Sequence, residues 1–134
     1  MRTGILLCCL LLVTACAHRP AGPTPPLDRE FTLARGETAA IEDTTLLLRF
    51  TRVSGDSRCP QDAICIQGGD AVVHIRASGQ GAPADLELHT GDSSRARATY
   101  GSYLVALTEL QPYPFSTRTI EQDEYRATLR VARP

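Results

Sequence analysis

The stretch that decides the fold is Tyr125-Arg126-Ala127-Thr128-Leu129-Arg130-Val131. Tyr125, Ala127, Leu129 and Val131 alternate without a break with Arg126, Thr128 and Arg130. Successive side chains of a strand point to opposite faces, so strict alternation reads as a strand with one face buried and one in water. The same period of two recurs upstream. In Thr44 to Val53, Leu46, Leu48 and Phe50 share a face. In Asp70 to Ala77, Ala71, Val73, Ile75 and Ala77 face inward, while Val72, His74 and Arg76 face outward. Ala84 to Thr90 follows, with Leu86 and Leu88 inward, and Ser102 to Leu110 is apolar on both sides, as in a central strand. Shorter candidates are Glu30 to Ala34, Glu37 to Ile41 and Arg95 to Thr99. Glycines at 36, 55, 68, 69, 79, 81, 91 and 101 separate these runs, and no segment sustains a helical apolar period.

Seven or eight short strands within residues 30–134 predict an all-β domain, an antiparallel β-sandwich of about immunoglobulin size. A small Greek-key barrel is the alternative. Between strands 70–77 and 84–90 the turn Ser78 to Pro83 closes a hairpin. Facing Ile75 with Leu88 sets Arg76 opposite Glu87 and His74 opposite His89 on the outer face. Two cross-strand histidines would hold copper or zinc weakly, so His74 and His89 are the metal candidates against the simpler reading as solvated side chains. The sequence implies no cofactor.

Upstream of the domain the composition changes twice. Met1-Arg2-Thr3 and the apolar run Gly4 to Val13 form a basic and then a hydrophobic segment, too short to cross a bilayer as a helix but suited to a signal peptide. It ends in Leu12-Val13-Thr14-Ala15-Cys16, which resembles the lipobox of bacterial lipoprotein precursors. That resemblance implies removal of residues 1–15, acylation of Cys16 and a place in the cell envelope. With Ala17 after the cysteine, the pattern resembles outer-membrane delivery, the domain facing the periplasm. Residues 16–29, with prolines at 20, 23, 25 and 26, are expected to be a tether.

The chain has five cysteines. Cys8 and Cys9 belong to the signal and Cys16 to the lipid, which leaves Cys59 and Cys65 as a disulfide in an oxidising compartment. Five residues between them suit neither a thioredoxin-like pair nor a zinc knuckle.

The long connection Ser54 to Gly69 holds this pair, and long connections in compact domains are often functional. Asp56, Arg58, Asp62, Ile64 and Gln67 are its candidate contact residues. Asp56 and Arg58 also suit a purely structural role at the turn into the disulfide, and Asp56, Asp62 and Asp70 a calcium site if further oxygens joined them. Asp56-Ser57-Arg58-Cys59-Pro60, then Cys65-Ile66 and Gly69, resembles a group of uncharacterised bacterial lipoproteins and exported proteins. Their pattern is Asp-Ser-Arg-Cys-Pro, then Cys-Ile/Val-Trp-Ala-Gly. Pro112-Tyr113-Pro114 and Tyr125 to Leu129 are similar to that group too, whereas Gln67-Gly68 stands where it has Trp-Ala. The resemblance implies an exported β domain and no particular reaction.

Fourteen basic against fifteen acidic residues, a formal net charge of −1, exclude a nucleic-acid binder. All the basic residues are arginines, so lysine chemistry is excluded as well. No serine elbow, zinc-protease helix or phosphate loop is present. The chain therefore reads as a monomeric, non-enzymatic binding domain, held on a membrane by lipid, with an envelope protein or glycan as partner. Three rivals remain. One is an inhibitor of a lytic enzyme or protease that inserts the loop and depends on Arg58 and Ile64. Another is a small hydrolase with an acid pair drawn from Glu109, Glu121, Asp123 and Glu124. The third is a purely structural envelope lipoprotein.

Overall fold

A computed structural model describes residues 22–134. Eight strands form two antiparallel sheets. Strands β1 (Glu30–Ala34), β8 (Arg126–Ala132), β7 (Tyr103–Gln111) and β6 (Arg97–Tyr100) make one sheet in that order. The other runs β2 (Thr38–Ala40), β3 (Leu47–Ser54), β4 (Val72–Ser78) and β5 (Ala84–His89). The sheets stay separate, so the domain is a β-sandwich and not a barrel. Within each sheet consecutive strands are neighbours, apart from the pairing of β1 with β8. The domain thus has immunoglobulin size without the Greek-key connections of that fold.

The alternation read from the sequence builds the core. Phe31, Leu33, Leu48, Phe50, Val73, Ile75, Leu86, Leu88, Val105, Leu129 and Val131 meet between the sheets. Two bulges adjust the pattern. β3 gains a residue between Phe50 and Arg52 and β7 one between Leu107 and Glu109, so Val53 and Leu110 turn inward where strict alternation would turn them out. Both bulges lie near the strand ends that feed the long connections 55–71 and 112–125.

The hairpin register differs from expectation. His89 faces Val72, His74 faces Glu87 and Arg76 faces Asp85, a shift of two residues from the pairing of His74 with His89. A shift of two keeps every side chain on its face, so apolar alternation cannot separate the two registers. Both also offer Arg76 an acid, and the observed bond runs from Arg76 Nη1 to Asp85 Oδ2 at 2.8 Å.

The expected tether is in part domain. Ala40 N–H donates to the Pro23 carbonyl at 3.1 Å and Glu42 N–H to the Pro25 carbonyl at 2.9 Å. Pro25 is buried and Leu27 packs on the core. Residues 22–26 therefore run beside β2, in the same direction, and cover the free edge of that sheet with a proline-rich segment that cannot template further pairing. Gly22 lies so close to the Thr38 carbonyl that any Cβ would overlap it.

Candidate functional site

The connections 55–71 and 112–125 leave the same end of the sandwich and are fastened together. Asp56 stands at the centre of the fastening. Its Oδ1 accepts from Arg58 Nε at 2.9 Å, and its Oδ2 accepts from Arg58 Nη2 at 2.7 Å and from the Tyr125 hydroxyl at 2.8 Å. This two-pronged, charge-assisted pairing fixes the plane of the guanidinium. The remaining donors reach across to the other connection, Nη1 to the Leu110 carbonyl at 2.7 Å and Nη2 to the Pro112 carbonyl at 3.0 Å. Burial opposes ionisation of Asp56, but the hydrogen bonds and charge of Arg58 outweigh it and hold the carboxyl below its ordinary value. Burial and the facing carboxylate push the Tyr125 phenol up to about 12. Tyr125 is thus both a core ring, as the alternation predicts, and the hydroxyl that secures the loop.

Further out, Asp62 takes over the fastening. It accepts from Ser116 N–H at 2.8 Å and from the Ser116 hydroxyl at 2.5 Å, while Gln61 N–H donates to the Pro114 carbonyl at 2.9 Å. The disulfide Cys59–Cys65 closes the tip, with its Cα atoms 6.0 Å apart. At the neck, a Cβ on Gly69 would overlap the Ser57 carbonyl, so only glycine lets the two sides of the loop approach.

The five loop candidates therefore separate. Asp56 and Arg58 point inward, hold structure and offer little surface to a partner. Asp62 is exposed but engaged with Ser116. Ile64 and Gln67 are exposed, and so is Ile66, which the sequence reading passed over. Ile64 and Ile66 are fully exposed, at 103% and 105%, and Tyr113 and Phe115 are about half-exposed. These four are the exposed large hydrophobic side chains among the described residues, and all lie on the two fastened connections. The aromatic pair carried a sequence signal, since Pro112 to Thr117 is a proline-punctuated stretch without charge.

Beside the tip is a cleft of about 250 Å³, lined by Arg58, His89, Leu107, Glu109, Leu110 and Tyr113 among others. A second, of about 260 Å³, is lined by Asp56, Arg118, Ile120 and Tyr125 with their neighbours. Each holds a single carboxylate, Glu109 and Asp56 respectively, so neither presents the facing acids of a carboxylate hydrolase. Glu124 is bound to Arg118 and to the Glu121 N–H.

The two histidines are buried, His74 at 7% and His89 at 6% exposure, and not solvated. His89 Nε2 lies 2.5 Å from Arg95 Nη2, and its Nδ1 lies 2.5 Å from Asp70 Oδ2. Asp70 also accepts from Gly91 N–H at 2.8 Å. Burial and then these bonds act in opposite senses, and the bonds prevail, holding Asp70 low. His74 Nε2 contacts the Ser54 hydroxyl at 2.7 Å, with Glu87 3.8 Å from Nδ1. Burial and the Arg52 charge depress its pKa. The imidazoles thus have separate partners and no shared cross-strand position. Asp56, Asp62 and Asp70 likewise turn to different neighbours, and no cluster of three metal-ligating side chains occurs among the described residues. Cys16, the expected lipidation site, lies outside the described residues.

Comparison with protein-family models, with curated proteins and with solved structures finds no match for this chain.

Proposed function

We propose that the protein is a lipid-anchored, monomeric binding module of the bacterial envelope, outer-membrane and periplasm-facing, without enzymatic activity, and that its contact surface is the disulfide-braced tip of the 54–69 loop. The observation that carries this reading is the pair Ile64 and Ile66, fully exposed on a segment that a disulfide and two sets of hydrogen bonds hold in place. Moving two isoleucines out of water is worth about 3–6 kcal/mol, at about 1.5–3 each. Because the tip is already ordered, little of that gain is spent on fixing its conformation. The disulfide and the lipobox-like segment ending at Cys16 support an exported, anchored chain. An inhibitory wedge remains a second form of this reading, resting on Ile64, with Arg58 bracing the wedge and not touching the target.

A photo-crosslinking residue placed at Ile64 in living cells tests the proposal. An adduct formed from position 64 and absent from a probe at Glu30, at the opposite end of the sandwich, is the expected result. Identical, background-level labelling from both positions would instead favour a purely structural lipoprotein.

A further inference from the structure

We infer that the tip docks on a lipid surface, the bilayer that carries the anchor, with Ile64 and Ile66 entering the interface and Tyr113 and Phe115 flanking them. The inference rests on the binding reading above and names its partner. Three observations converge on it.

The first is where the chain goes. Beside β2 the segment runs from Gly22 at Thr38 to Pro25 at Glu42, so followed toward the N-terminus it climbs from Glu42 toward Thr38. Thr38 pairs with Arg49, and β3 continues from there to Ser54, where the long loop begins. The chain thus leaves the described domain heading for the end of the sandwich that carries the tip. Gly22 lies six residues after Cys16. Six residues span at most about 20 Å, so an acylated Cys16 would keep this end of the domain close to the membrane.

The second is the chemistry of the surface. Between residues 59–69 and 112–117 a single ionised side chain occurs, Asp62, amid Ile64, Ile66, Tyr113 and Phe115. Apolar side chains flanked by aromatic rings suit the boundary between headgroups and acyl chains. The third is exclusivity. Among the described residues no other region exposes a large hydrophobic side chain, so the apolar surface is confined to the end nearest the anchor.

A lipid anchor on an extended segment limits the distance of a domain from the bilayer and leaves its tilt free. A second contact at the tip fixes the tilt, standing the sandwich on its loop end with the cleft of Arg58, His89, Glu109 and Tyr113 beside the headgroups.

The chain has no tryptophan, so one introduced residue reports on its own surroundings. The full-length, lipid-modified protein carrying Ile66→Trp, reconstituted in vesicles of phosphatidylethanolamine and phosphatidylglycerol with brominated acyl chains, should emit to the blue of water-exposed tryptophan. Its quenching should be several-fold stronger than that of a Glu30→Trp chain. Phe115→Trp should be quenched as well, and adding Ile64→Asp and Ile66→Asp to it should abolish the quenching. Equal emission and quenching from positions 66 and 30 would overturn the inference. If a tip-specific protein adduct then appeared in cells, the binding reading would survive with a protein partner in place of lipid.

Discussion

At the root of the long loop the side chains of Asp56 and Arg58 are 13% and 10% exposed, and every prong of their ion pair has a partner. Eight residues further on, Ile64 and Ile66 stand wholly exposed, with nothing among the described residues to cover them. The ordinary distribution is inverted, charge inside and hydrocarbon outside. Buried charge costs desolvation and is tolerated where it is fully paired. Exposed hydrocarbon contributes nothing to the fold, and the proposed reading assigns it to a contact with a partner. The side chains at the root hold the two connections together, and the proposed reading leaves those of the tip for another surface.

The strongest way to break this division is at the root. Asp56→Ala strands a buried guanidinium and the Tyr125 hydroxyl, and should cost about 3 kcal/mol of stability, read from the urea midpoint. A loss no larger than that of an ordinary surface substitution would remove Asp56 from the centre of the fastening. Next in size is the bridge. Cys59→Ser with Cys65→Ser opens a short loop and should cost about 2 kcal/mol. Hydrogen exchange should quicken in residues 59–69 while β3 and β4 keep their protection.

Acid distinguishes the root from the outer face of the hairpin. His74 is held below the ordinary 6.5. The unfolded chain therefore binds more protons, and stability present above pH 6.5 is lost as pH falls toward the lowered value. Asp56 and Asp70 are held below 3.8, so their contribution is complete above that pH and disappears as pH falls through their folded values. Urea midpoints against pH should show two successive declines, and His74→Gln should remove the upper one alone. The smallest effect on stability belongs to the tip. Ile64→Asp and Ile66→Asp should each change it by less than about 0.5 kcal/mol, and Ile66→Asp should abolish crosslinking from the probe at position 64. A large destabilisation there would mean that the isoleucines serve the fold, and the comparison would fail.

Much of this molecule was legible before any coordinates. Glu30 to Ala34 is a strand with the limits read from the sequence, and the seven alternating residues from Tyr125 lie in β8 apart from Tyr125 itself, which immediately precedes it. Cys59 and Cys65 pair as expected. Three readings fell short for physical reasons. The hairpin slipped by two residues because both registers bury the same face and both give Arg76 an acid. The prolines of residues 22–26 suggested a detached tether, whereas they lie along the edge of a sheet where missing N–H groups do no harm. His74 and His89 belong to an outward face, yet their neighbours cover them.

Period-two alternation is a local property, so the sequence by itself determined the strands, their inward faces, the class of fold and the disulfide. The site is built from residues far apart in the chain, Asp56 with Tyr125 across 69 positions and Arg58 with the Leu110 carbonyl across 52. Which polar side chains meet depends on how the two sheets stack and on the bulges that shift each strand. Only the tertiary structure could decide that Asp56 and Arg58 turn inward, that Ile66 stands beside Ile64 in solvent, and that the N-terminal segment climbs toward the same end.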